Sequence, residues 1–417
     1  MKEPKGRPFT TLVTLLLALG LAAPAAALPA ELEGYDPSGH IRFATPEEAE
    51  ARREKLIHYF WPDGLPANAL PRVTAGIDFP EDLLVERGGK KPRKPVNRDL
   101  VASVERLDFT LRVPDPKKPE TGDWSMTSVG YWLKPKAPAA PARLAIFHTG
   151  HQRDLGLDPG NAAMVDALLQ QGHHVIQLDM PMCGRNNTKT GRTLTHPDGS
   201  TLAMGAGTTG HNQLFKKFAG ELDGKLFAFF LDPVVQSINL FNKAHEAQDI
   251  TMIGKSGGGW TAHVVAAVDT RIDLSLPVAG SLPLYARKFS GGSMDAEQYY
   301  TPLYKEVDTD GDGIADTAAG VASWMEIYAL GAIGQGRRQI QINIFNDPCC
   351  FRTDVFESYD DYLSGLVEKI GKTRWAYHSD TSQDQHLISD DVRENVILPA
   401  IEELGRQASQ DTEKATR

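Results

Sequence analysis

The run Ile250-Thr251-Met252-Ile253-Gly254-Lys255-Ser256-Gly257-Gly258 constrains this chain more than any other stretch. Its first four residues are apolar or β-branched and read as a buried strand. From Thr261 to Val268 the pattern is helical. A strand that turns straight into a helix puts Ser256 on a sharp bend, where side chains on its neighbours would collide. The hydroxyl then projects from the sheet edge near a helix N-terminus, where developing negative charge is favoured. Two other readings compete. Gly254-Lys255-Ser256 imitates the end of a phosphate-binding loop, but that motif needs glycine five residues earlier, where Asp249 stands. The turn could also be a glycine-rich connection without chemistry.

The rest of the chain repeats the strand–helix alternation. Val104 to Val113, Val129 to Leu133, Arg143 to His148 and His174 to Asp179 read as strands, and so do Leu274 to Ala279, Ile340 to Phe345 and Arg374 to Tyr377. Between them, Ala162 to Gln171 is a helix stopped by Gly172. Asp232-Pro233 is expected as an N-cap and first-turn proline, with Val234, Ile238 and Phe241 on one helical face. Ile388 to Leu404 is the closing helix. This alternation predicts an α/β domain with a mostly parallel sheet covered on both faces, over residues 104–405. Insertions are expected at about 184–225 and 282–336, both at the strand C-terminal edge, where they would form a lid. Trp260, Trp324, Tyr299 and Tyr300 are candidates to line the space beneath it. Residues 31–103 read as an N-terminal extension with one helix, starting after Thr45 and running to Tyr59.

Charge narrows the partners. Forty-four basic against 54 acidic residues give a formal charge of −10, which disfavours nucleic acid and anionic membranes. Lys2, Lys5 and Arg7 precede an apolar run from Thr11 to Ala23, followed by Ala25-Ala26-Ala27. This is the pattern of a signal peptide over residues 1–27, and it predicts a periplasmic or secreted mature protein with no membrane anchor.

With these elements in place, the chain resembles the α/β-hydrolase superfamily over about residues 104–405, with its serine bend after the fifth of eight strands. The resemblance implies the chain order nucleophile, acid, histidine. Ser256 would be the nucleophile. A serine hydroxyl needs a base within hydrogen-bond reach, and late in the chain only His378 and His386 qualify. His386 falls in the loop after the last strand, where the fold places its base; His378 ends the strand itself. Asp347, in the turn after Ile340 to Phe345, would orient the imidazole, with Asp354 as its rival. The oxyanion hole would be the N–H groups of Gly257 and His151, the latter in Phe147-His148-Thr149-Gly150-His151-Gln152. Gly150 or Gln152 could replace His151 in that role. Such a site needs no cofactor.

A second motif is independent of the first. Asp308, Asp310, Asp312, Ile314 and Asp316 occupy positions 1, 3, 5, 7 and 9 of an EF-hand-type calcium loop, with Gly313 at position 6. Position 12 is Ala319 rather than glutamate, which weakens the site unless a distant group such as Glu326 completes it. Calcium there would be structural; the bland alternative is a solvated acidic turn. Of the three cysteines, Cys349 and Cys350 adjoin the proposed acid and could form a vicinal bridge or stay as thiols, while the strand order that the resemblance implies would put Cys183 too far away to join them.

The expected function is that of a secreted serine hydrolase, acting on a small-molecule or polymer-linked carboxylic ester through an acyl-enzyme. A peptidase or amidase of the same fold is the alternative enzyme. A non-catalytic, calcium-stabilised binding protein is the alternative from another class.

Overall fold

The apolar runs build one twisted sheet in a computed structural model that describes residues 28–80, 95–115, 122–151, 158–187, 193–245, 249–290, 295–351 and 355–415. The signal peptide expected at 1–27 lies outside the described residues. The strands are β1 (Arg72–Thr74), β2 (Val101–Pro114), β3 (Asp123–Pro135), β4 (Arg143–His148) and β5 (His174–Leu178). They are followed by β6 (Leu194–Thr195), β7 (Thr201–Leu202), β8 (Asp249–Lys255) and β9 (Leu274–Val278). A separate hairpin of β10 (Glu306–Val307) and β11 (Thr317–Ala318) precedes β12 (Arg338–Ile344) and β13 (Arg374–Asp380).

The sheet order is β1-β2-β3-β5-β4-β8-β9-β12-β13. From β5 to β13 all neighbours are parallel, and β1, β2 and β3 are antiparallel. β5 and β9 are buried along their whole length, which is why their sequences are apolar runs rather than alternating ones. The helices α1 (Pro46–Phe60), α2 (Pro159–Gln170), α3 (Thr208–Leu222), α4 (Ala228–Ala244), α5 (Gly257–Val268), α6 (Leu284–Ser290), α7 (Trp324–Ala332), α8 (Asp360–Gly371) and α9 (Leu398–Ala415) accompany it. The apolar residues of α2 and α9 form one core, and those of α1, α4, α5, α7 and α8 form another. This strand order, with its exchange of β4 and β5 and a serine bend after β8, is that of the α/β-hydrolase fold.

Several boundaries differ from the sequence-based expectation. The segment 31–103, expected as an N-terminal extension, joins the sheet and the core through its described residues. β1 pairs with β2, placing Arg72 opposite Asp108, and α1 buries Leu56 and Phe60 in the larger core. Arg53 is also buried, and its guanidinium donates to the carbonyls of Ala267, Leu330 and Ile333. The sequence looked like an extension because an arginine in a charged helix gives no hint of burial.

The second expected insertion also shrinks. Its last part, α7, packs against α5 as a scaffold helix, with Trp324 fully buried. In the first, β6 pairs with β3 and extends the sheet through the β6–β7 hairpin instead of standing over it. α3 from the first insertion meets a helical turn from the second, Ala296–Gln298.

Asp232 and Pro233 lie inside α4, not at its start. Asp232 is buried and accepts a hydrogen bond of 2.7 Å from Trp61 Nε1–H. The closing segment begins at Asp390, capped by the Ser389 hydroxyl, and passes through a π turn at Arg393–Ile397 before α9. Pro399, which has no N–H to give to the residue four back, stands just beyond that turn.

Candidate active site

Ser256 has φ +60° and ψ −124°, a backbone conformation that side chains other than glycine's rarely take. Packing holds it there. Its N–H donates to Val278 O (2.8 Å) at the end of β9, and its carbonyl accepts from Trp260 N–H (3.0 Å) in the first turn of α5. The glycines on either side have no room for a side chain. A Cβ on Gly254 would collide with the Gly258 carbonyl, and one on Gly258 with the His148 carbonyl. Gly150 is as tightly placed, since a Cβ there would lie 2.6 Å from Ser256 Cβ and 2.8 Å from Gly257 N. The loop after β4 therefore lies directly on the bend. Lys255, the variable residue of the motif, turns away into an ion pair of 3.2 Å with Asp158.

Asp347 and His386 meet two strands away along the same sheet edge. β12 and β13 run in parallel register, with Ile344 opposite Asp380. Asp347 sits just beyond the first strand and His386 in the loop beyond the second. His386 Nδ1 lies 2.9 Å from Asp347 Oδ2 and 3.1 Å from Oδ1. An ionised carboxylate only accepts, so Nδ1 carries the proton and Nε2 is the basic nitrogen. Burial works to raise the Asp347 pKa. The hydrogen bond and charge of His386, with the N–H groups of Cys349 and Cys350, outweigh it and hold the carboxyl below its ordinary value.

The loop carrying His386 is itself fastened. Asp380 Oδ1 accepts from Ser382 N–H (3.0 Å) and its hydroxyl (2.6 Å), and Gln383 Oε1 accepts from Gln385 N–H (2.6 Å). His378 lies within β13, opposite Ile342, away from that loop. The rival acid Asp354 lies outside the described residues, as does Gln152. Cys349 and Cys350 are joined in a vicinal disulfide, and Cys183 is a buried free thiol.

Two groups in and beside the loop after β4 were not visible in the sequence. Thr149 Oγ1–H donates to Asp179 Oδ1 (2.6 Å), and Asp179 is paired with Arg185 at 2.8 Å, all buried. This network ties the loop after β4 to the end of β5. His148 is fully buried with Nδ1 2.8 Å from Thr149 O; burial lowers its pKa to about 4, so it is a neutral packing residue. The His151 ring lies against Gly257, where a Cβ would meet its Cε1 at 2.7 Å and its Nδ1 at 2.8 Å. It points into a cluster with His211 and Glu297. That cluster left no signal in the sequence, because its members come from three distant segments without periodic pattern.

The other expected site residues are spread differently. Trp260 and Trp324 are fully buried packing residues, Trp260 donating its Nε1–H to Tyr304 Oη (3.2 Å). Tyr299 and Tyr300 are half-buried, and Tyr300 donates to Asp223 Oδ1 (2.8 Å). In the aspartate loop, carboxylate oxygens of Asp308, Asp310 and Asp316 lie within 4.8 Å of one another. Asp308 accepts from the N–H groups of Gly311 (2.6 Å) and Gly313 (2.8 Å), and Asp312 from that of Ile314 (2.7 Å). Glu326 does not reach the loop. It is buried, pairs with Arg42 at 2.6 Å and caps α7 through Ser323.

No family model and no curated protein matches the chain. Among solved structures, it is similar to an acetyl xylan esterase from Thermoanaerobacterium sp. at 14% identity and a TM-score of 0.49, over 91% of this chain and 98% of that one. An acetyl xylan esterase from Paenibacillus sp. is similar at 13% identity and 0.48, over 90% and 99%. A methylesterase is similar at 14% identity and 0.47, over 84% of this chain and 61% of that one.

Proposed function

We propose that this protein of the α/β-hydrolase fold is a serine hydrolase of carboxylic esters, working through an acyl-enzyme on Ser256. The observation that carries the reading is the Asp347–His386 pair, 2.9 Å apart with the carboxylate buried, on the sheet edge that also presents the strained Ser256. In this mechanism His386 Nε2 takes the Ser256 proton as Oγ attacks the ester carbonyl. Asp347 fixes the tautomer and stabilises the imidazolium. The Gly257 and His151 N–H groups hold the oxyanion. Collapse releases the alcohol with a proton from His386, and water then frees the acid by the same route.

The test is fluorophosphonate labelling of the mature protein beside Ser256→Ala, followed by turnover of short-chain aryl esters, polysaccharide-linked acetyl and methyl esters, and aminoacyl amides. The reading requires serine-dependent labelling and ester turnover above amide turnover. Amide turnover above ester turnover would make the protein a peptidase or amidase. No labelling of folded protein would favour a binding protein.

Two further assignments belong to this reading. The leader at 1–27 sends the mature protein to the periplasm or the medium, which N-terminal sequencing of exported protein checks. The aspartate loop holds a structural calcium ion through Asp308, Asp310, Asp312, Asp316 and the Ile314 carbonyl, of which the carboxylates of Asp308, Asp310 and Asp316 already converge. Melting temperature against calcium concentration, for the wild type and Asp310→Asn, tests that assignment.

A further inference from the structure

We infer that His151, His211 and Glu297 form a binding site for a divalent transition-metal ion of the zinc class, one imidazole ring away from the oxyanion hole. His151 lies in the loop after β4, His211 lies in the first turn of α3, and Glu297 is in the turn Ala296–Gln298. Three atoms converge. His151 Nε2 is 2.5 Å from Glu297 Oε1, His211 Nδ1 is 3.2 Å from the same oxygen, and the two nitrogens are 3.1 Å apart. His211 and Glu297 are fully buried, and the His151 side chain is 12% exposed.

The protons decide what belongs between these atoms. His211 Nε2 lies 2.7 Å from the carbonyl of Pro181, a pure acceptor, so that nitrogen carries a hydrogen and Nδ1 is the nitrogen free to bind an ion through the neutral ring. His151 Nδ1 lies 3.6 Å from Asp295 Oδ2, a second carboxylate on the outer side of the ring. Two imidazole nitrogens and a carboxylate oxygen thus face one another in a dry pocket.

Extra protons would relieve this only in part. Two imidazolium N–H groups 3.1 Å apart would share one oxygen. Glu297 Oε2 is also buried and without a hydrogen-bond partner among the described residues. A single cation satisfies all three atoms. Bonds of 2.0–2.1 Å around a tetrahedral ion set its ligands ~3.3 Å apart, and small outward shifts of the present atoms reach that spacing. Two histidines and one glutamate suit zinc, with the fourth position left to water. A carbonyl and a carboxylate behind the two imidazoles are the outer partners that orient metal-ligating histidines. The ion would join the two insertions to the oxyanion loop and so fix the His151 backbone.

The test uses the mature protein stripped with a strong chelator and then titrated with zinc or cobalt(II). One ion per chain is expected, with visible cobalt bands of tetrahedral intensity. Affinity should fall at least 100-fold in both Glu297→Gln and His211→Asn and stay unchanged in Asp308→Asn/Asp310→Asn. Failure of the folded wild type, checked by near-UV circular dichroism, to bind either ion would overturn the proposal. So would tight binding that survives both cluster variants, or that is lost in the aspartate-loop variant. Metal content is read whether or not the protein turns over an ester, so this outcome and that of the esterase assay are separable.

Discussion

His386 Nδ1 and Asp347 Oδ2 lie 2.9 Å apart although 39 residues separate them in the chain, because parallel pairing of β12 and β13 brings two strand-end loops side by side. The carboxylate is 2% exposed, so little water competes for the imidazole N–H. Asp347→Asn would present an amide that can donate as well as accept and would let the imidazole adopt the wrong tautomer. Ester turnover should fall roughly 10³–10⁴-fold in kcat. KM and the urea midpoint should change little, and a fall confined to KM would sink this role for Asp347.

Gly150 tests the loop above the serine. A methyl group at that position would lie 2.6 Å from Ser256 Cβ, so the loop must lift away from the bend. Gly150→Ala should lower kcat ~10²-fold through a misplaced oxyanion donor. Steady-state kinetics of folded protein checks it; an unchanged kcat would remove the loop from the oxyanion hole.

Asp232 gives a pH signature away from the site. Burial raises its carboxyl to about 7, with the Trp61 donor pulling the other way. An unfolded aspartate titrates near ~3.9. Between that value and about 7 the folded chain holds a proton that the unfolded chain has released. Stability therefore declines as pH rises through the window and levels off above it. Asp232→Asn keeps an acceptor for Trp61 and removes the charge. It should be near neutral at pH ~4 and stabilising by on the order of 1–3 kcal/mol at pH ~8. Urea midpoints at the two pH values decide.

Arg53 tests whether the first hundred residues belong to the domain. Its guanidinium satisfies carbonyls on α5, on α7 and just beyond α7. Arg53→Ala leaves these buried acceptors unpaired and should cost roughly 2–4 kcal/mol. Arg53→Lys, with one ammonium in place of a planar fork, should recover less than half of that. Loss below 0.5 kcal/mol would mean that the segment is only loosely attached.

What could be read from the sequence was local. The bend at Ser256, the turn at Asp347 and the loop at His386 each follow an apolar strand, so a strand-to-loop signal marks their positions. Thr45 was legible as a cap because its hydroxyl serves Glu48 N–H three residues on. Arg53, Asp232 and Glu297 were not legible. A charged residue reads as surface unless its distant partner is known, and these partners lie far away along the chain. Pro233 misled for a related reason, since the turn before it continues as helix only because Phe229, Phe230 and Leu231 are buried against the core.

The ion pair of Arg42 with Glu326 and the seat of Arg53 on the α5–α7 layer also set an order of events. A polypeptide is made from its N-terminus, yet residues 42–53 find their partners 214 to 284 positions later. This segment emerges long before its partners and is therefore among the last to settle, and contacts of such long separation make for slow acquisition of the native state. Nascent chains shorter than about residue 340 should leave α1 open to protease, and its protection should appear only once α7 and β12 have been added.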